Sequence, residues 1–410
     1  MTTEAKYPVW LYLEKAQKLK EQEKFTEAIA LYEEAIQLYS DNADLFRELG
    51  IAQEKIGDID GVISSYNQAI ELNSQQQVWV YLTLIRLLTE KERYQQAIAI
   101  AQTAKKLYPE NSEIHRWLGV IANKQEDIDG VIQHNYQAIE LNHKEPLWVY
   151  LTLIQSLIKP EQFEQAIALC QAAIEVYPNS QKPYHALSTA AEKQGNIDKA
   201  VENYKRSIEL NNQQPVWVYS TLGRLLTDQK NWEQAIAIYQ KALEIYPENE
   251  KFYQSLGNVA KNKGDLDTAI TNYRQGIEVN PQQQTWVYLT LGELLIEQEK
   301  YDEAILIYQK GLQVYPDNER LCQSLGTATE KKGDLDGAIK NYERTLEINP
   351  QQPTWIYLTL GELLAKQEKT NQAVSTYQKG LIIYPKNEKI YQSLGKIAEK
   401  KGEINQAILN

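Results

Sequence analysis

The sequence has little in it that reacts. Its 410 residues hold two cysteines, Cys170 and Cys322, four histidines and one methionine. Two cysteines so far apart make no disulfide framework and suit a reducing compartment, so a cytoplasmic protein is expected. His115, His134, His143 and His185 fall in no H-E-x-x-H or related spacing, and no cysteine joins them at zinc-ligand spacing. No glycine loop of the phosphate-cradling kind occurs. The carboxylates read as helix caps and solvated faces. The expectation is no catalytic residue, no metal and no cofactor: not an enzyme. Clustered positive charge is also missing. Acidic residues outnumber basic ones 55 to 43, for a net charge of −12. Phosphate backbones need basic stripes, so nucleic acid is not an expected partner. No stretch approaches the ~20 apolar residues that span a bilayer, and Met1-Thr2-Thr3-Glu4-Ala5-Lys6 is no cationic-then-apolar leader, so no membrane is expected.

What the chain has is repetition. Trp10, Trp79, Trp148, Trp217, Trp286 and Trp355 recur every 69 residues, each with a tyrosine two residues later. Such a period is read before any fold is guessed. Each 69-residue block divides into a half that carries this tryptophan (the W-half) and a half marked by glycine (the G-half). W-halves begin at 9, 78, 147, 216, 285 and 354; G-halves begin at 43, 112, 181, 250, 319 and 388. This makes an N-terminal tail over 1–8 and a single array over 9–410, with double repeats 9–77, 78–146, 147–215, 216–284, 285–353 and 354–410. The twentieth residue of each half is small, from Ala28 and Val62 to Ala373 and Ala407.

Each half reads as two helices. Val287, Tyr288, Leu291, Leu294 and Leu295 keep helical spacing over 285–299, and Ala304, Ile305, Ile307, Tyr308 and Leu312 continue it after a break. In G-halves the break is Gly57-Asp58, Gly195-Asn196, Gly264-Asp265 or Gly333-Asp334: glycine accepts the positive φ that ends a helix, and the polar residue caps the next. W-halves break at Glu299-Lys300 or similar, with no cap in view, so packing is expected to hold that turn. Tyr-Pro pairs such as Tyr315-Pro316 stop the second helix. One helix pair cannot bury both its apolar faces, so stacking must build the core.

Leu291-Gly292, Tyr301-Asp302-Glu303-Ala304, Tyr308 and Pro316, with Leu325-Gly326, Gly333-Asp334, Ala338, Tyr342 and Pro350, resemble the signature of the tetratricopeptide repeat (TPR) family. The likeness covers residues 9–410. It implies an all-α solenoid, a right-handed superhelix of antiparallel helix pairs whose first helices line a groove that binds other proteins or peptides. Ala16, Ile85 and Ile154 depart from the small glycine of the first helix, which predicts wider helix spacing there. Glu126 replaces the turn glycine and Asn135-Tyr136 inverts the usual order, so 78–180 is the most irregular stretch.

Three rows are candidates for recognition. Trp79, Trp148, Trp217, Trp286 and Trp355 hold the second place of their halves, which in the family tends to face the groove; large aromatics there would anchor a partner. Packing on the preceding unit is the competing role. Thr221, Ser255, Thr290, Ser324, Thr359 and Ser393 form a hydroxyl row at the sixth place, against which stands a simple need for small residues. Lys182, Lys251, Arg320 and Lys389 alternate with the tryptophans and suit an acidic or aromatic-bearing peptide; solubilising charge is the plainer reading. The carboxylate clamp known in the family is absent, since no first helix has Lys and Asn four residues apart. The array stops at Asn410, a few residues into a second helix. This motivates two further expectations: that these residues are the substrate-recruiting arm of a larger group-transfer enzyme such as a glycosyltransferase, or that the chain self-associates through the open end.

Overall fold

A computed structural model describes residues 7–400 and Gly402. These form 23 α-helices of 12 to 14 residues and, among the described residues, no strand. The helices come in pairs at the expected register: in the half repeat that starts at 285 they run Thr285–Glu297 and Tyr301–Val314. Of the expected tail, Tyr7 and Pro8 are described, and Pro8 opens the helix Val9–Glu21. Residues 1–6, Ala407 and the second helix of the last half repeat lie outside the described residues. The chain divides between Asn212 and Gln213 into two compact units, at the loop that separates the third double repeat from the fourth.

The two kinds of turn are built differently. Gly57, Gly195, Gly264 and Gly333 take φ of 77–89°, and Asp58, Asn196, Asp265 and Asp334 cap the helix that follows. In the W-halves a non-glycine residue takes the left-handed conformation, Glu299 at φ 61° among them, and no side chain caps the second helix. Packing is not all that holds these turns. The side chains of Gln298 and Lys300 reach Asp267, 2.8 and 3.8 Å away, at the start of the preceding second helix. Gln367 and Lys369 do the same with Asp336. The asparagine of the Tyr-Pro-x-Asn loop has a role as well: Asn318 Oδ1 accepts from Leu321 N at 3.0 Å and caps the next first helix.

Inside a pair, a glycine on the first helix lets the second come close. A Cβ on Gly292 would lie 2.3 Å from the ring of Tyr308, and Gly223 meets Tyr239 in the same way. Among the W-halves, where the glycine is lost the tyrosine is lost with it in two of three cases. Ile85 stands opposite Ala101, and Ile154 opposite Cys170, all four buried. Across these two pairs the volume gained on the first helix is given up on the second. Ala16 keeps its tyrosine, Tyr32.

The half repeat over 112–146 is where the pattern changes most. Asn135 takes the tyrosine's place against Gly119. It is buried, and neither its Oδ1 nor its Nδ2 has a partner among the described residues. His115 is buried with its ring 6.0 Å from that of His134. Burial, then Lys105 and His134, push the His115 pKa down to about 4. His134 is lowered by burial and Lys105, with Asp127 acting against them. In the unfolded chain histidine titrates near 6.5, so the unfolded state binds more protons in this window. Stability from His115 is complete above about pH 6.5 and falls as the pH drops toward 4, by up to about 3 kcal/mol. Urea unfolding at neutral and acid pH should show this loss, and His115→Phe, which copies Phe46 of the first double repeat, should reduce it. An unchanged pH dependence in the variant would contradict the assignment.

Candidate partner-binding face

The loop that precedes each W-half is polar, yet it is pinned at several points. Over Asn280–Gln284 the side chain of Asn280 accepts from Gln282 N, and Gln283 is buried, donating through Nε2 to Gly276 O at 3.0 Å and to Asn280 O at 2.9 Å. Two tyrosine hydroxyls close the loop from either side: Tyr288 donates to Pro281 O at 2.5 Å and Tyr315 to Gln283 O at 2.8 Å. The same two latches recur at Tyr81 and Tyr108, Tyr150 and Tyr177, and Tyr357 and Tyr384. Proline after the second tyrosine ends its helix where the ring can reach back. The first residues of each W-half helix are thus held in one place.

Those residues carry the tryptophans. Trp286 sits edge-on against Tyr273 of the preceding second helix, at 6.1 Å and 85°, and its Nε1–H donates to Gln284 at 2.8 Å. Trp79 repeats this with Tyr66 and Gln77. Trp355 keeps the edge-on contact, to Tyr342, but Pro353 stands where the glutamine acceptor would be. Trp148 and Trp217 also follow a proline. Trp148, Trp217 and Trp355 stay 45%, 46% and 40% exposed, while Trp79 and Trp286 are half-buried. At Trp79, Trp286 and Trp355 one edge packs on the neighbour, as the packing role expects, and part of the ring still faces solvent. Edge-to-face geometry suits this, since it commits only part of the ring.

The hydroxyl row splits in two. Thr221, Thr290 and Thr359 are half-buried on the first helices that carry the tryptophans. Ser255, Ser324 and Ser393 are half-buried too, but each lies beside a buried phenol, Tyr239, Tyr308 and Tyr377, whose pKa burial raises and the serine hydroxyl draws partly back. The contact at Tyr308 falls short of a full hydrogen bond. Lys182, Lys251, Arg320 and Lys389 are exposed, each the second residue of its helix. The loop glutamines and the Tyr-Pro hydroxyls were not among the candidate recognition residues singled out from the sequence, although their recurrence in most double repeats was the available signal. Cys170 has its thiol pushed up to about 12 by burial, which makes it a poor nucleophile at neutral pH. No helix of the described residues is long and apolar enough to cross a membrane.

Tandem helix pairs locked by recurring side chains define an α-solenoid repeat protein. Four family profiles specify which kind: one described as TPR repeat matches residues 16–57, and profiles described as tetratricopeptide repeat match 82–142, 182–214 and 212–381. The chain belongs to the tetratricopeptide repeat family. No curated protein matches it. Similar solved structures include YrrB, a TPR protein with an unusual peptide-binding site, at 22% identity over 47% of this chain and 98% of that one, with a TM-score of 0.39. The Naa15/Naa10 complex bound to HypK-THB is 14% identical over 97% of this chain and 67% of that one, TM-score 0.47. The C-terminal part of a TPR repeat-containing protein from Cytophaga hutchinsonii is 19% identical over 59% and 98%, TM-score 0.46.

Proposed function

We propose that the protein is a non-catalytic interaction scaffold that binds polypeptide segments along its first helices, with the exposed tryptophans as anchors. The observation that carries this reading is the pairing of exposure with rigidity at Trp148, Trp217 and Trp355. Exposed aromatic surface repeated at one register of successive double repeats is the kind of feature that marks an interaction site. Here the loop beneath Trp148 and Trp355 is fixed by two tyrosine hydroxyls and that beneath Trp217 by the hydroxyl of Tyr246, so little ordering entropy is left to lose on binding. Thr221, Thr290 and Thr359 lie about one helical turn further along the same helices and can add hydrogen bonds to a bound backbone.

The test is a selection of short random peptides on the full chain, followed by affinity measurements with the enriched sequences. Trp217→Ala, Trp286→Ala and Trp355→Ala combined should weaken them by two orders of magnitude or more, about 3 kcal/mol, as loss of anchor residues does. Enriched peptides that bind the triple variant as tightly as the parent would remove the tryptophans from the site.

A further inference from the structure

Resting on that reading, we infer that the unit from Gln213 onward takes acidic polypeptide segments. Three observations carry it. First, the second residue of successive first helices alternates between aromatic and cation: Trp217, Lys251, Trp286, Arg320, Trp355 and Lys389. The helix Thr285–Glu297 packs directly on Glu319–Lys332, as Thr354–Lys366 does on Glu388–Lys400, so Trp286 and Arg320, and Trp355 and Lys389, hold the same place on neighbouring helices.

Second, the cations of this row are unspent. Other lysines of the unit are paired with the starts of second helices: Lys263 with Glu233, Lys300 with Asp267, Lys332 with Asp302 and Lys369 with Asp336. Among the described residues Lys251, Arg320 and Lys389 form no ion pair and are exposed. Glu250, Glu319 and Glu388 precede them, but adjacent residues on a helix point about 100° apart and do not face each other.

Third, the same place in the first two double repeats is built otherwise: Asp44 and Glu113 occupy it and are neutralised one turn on by Arg47 and Arg116, and the cation first enters the row at Lys182 of the third double repeat. From Gln213 onward that residue one turn on is Gln254, Gln323 or Gln392, which carries no charge. The loops before Trp217, Trp286 and Trp355 are likewise uncharged, made of Asn, Gln and Pro. In a chain of net charge −12, a row with exposed, unpaired cations between indole faces fits carboxylates spaced among apolar side chains. Nucleic acid fits less well, because its charge density calls for clustered rather than widely spaced cations.

The experiment is the same peptide selection, read for composition. Sequences enriched on the full chain should be rich in Asp and Glu beside apolar residues, and their affinity should fall with added salt. Lys251→Glu, Arg320→Glu and Lys389→Glu combined, all exposed and so harmless to folding, should weaken them roughly tenfold or more and shift the enriched pool toward Lys and Arg. A pool enriched in a tryptophan-dependent way but neutral in composition would overturn the acidic preference and leave the scaffold reading intact. Enrichment that ignores the tryptophans would overturn both. A single-stranded oligonucleotide that binds as tightly as the acidic peptides would overturn the inference as well, since charge alone would then account for binding.

Discussion

Gly292→Ile is expected to destabilise the protein by several kcal/mol, Tyr308→Ala to do the same, and the two together to cost far less than their sum. The glycine Cβ direction runs into the Tyr308 ring at 2.3 Å, and that ring is fully buried. A branched side chain there forces the helices apart, at a cost of about 1–3 kcal/mol or more. Removing the ring alone leaves a cavity worth about 3–5 kcal/mol. Together the substitutions recreate the pair Ile85 and Ala101, which the chain already uses at the equivalent place. Urea unfolding of the full chain should show a favourable coupling of about 2 kcal/mol or more. Additive losses would mean that the exchange of volume at Ile85 and Ile154 is not what closes those pairs.

Arg116→Gln should be the most damaging single change of a partly exposed residue in the chain. Glu145 replaces the loop glutamine of the other double repeats and is buried, its carboxylate held by Arg116 at 3.1 Å, Ser112 at 2.7 Å and Asn142 at 3.2 Å. Without the guanidinium a buried carboxylate is left uncompensated, which costs about 3–5 kcal/mol; the hydroxyl and amide that remain place this case near the lower end. Glu145→Gln should cost under about 1 kcal/mol, because the amide can bond as Gln283 does. The double variant copies the contact between Gln254 and Gln283 and should recover most of the loss. A double variant as unstable as Arg116→Gln alone would show that the arginine acts through packing or through Glu113.

Helix positions were legible in the sequence because a repeated 69-residue pattern averages out local ambiguity: glycine turns, proline stops and apolar spacing agree wherever they recur. The exposed edge of the tryptophan row could be read as far as its register, but not its two-sided character. That depends on Tyr66, Tyr273 and Tyr342 lying on the neighbouring second helix. Hydroxyl latches such as Tyr315 to Gln283, 32 residues apart, were hidden for the same reason: they join one half repeat to the next, so only the stacked structure brings them together. The serines and threonines looked like one row because spacing alone cannot tell which half-buried hydroxyl lies beside a buried phenol. Glu145 is an exception to the general reading of the carboxylates as caps and solvated faces, and its burial follows from a glutamine-shaped slot that the loop consensus did not announce.

The measurement that bears most directly on the central claim is the urea unfolding of Trp217→Ala, Trp286→Ala and Trp355→Ala, each beside the parent chain. If the row is for recognition, each change removes a half-exposed ring, and at Trp286 and Trp355 one edge-on contact as well, so stability should fall by about 1–2 kcal/mol per site. Losses of about 3–5 kcal/mol per site, the scale of an aromatic deleted from a closed core, would make the tryptophans part of the internal scaffold and contradict the account of the binding face.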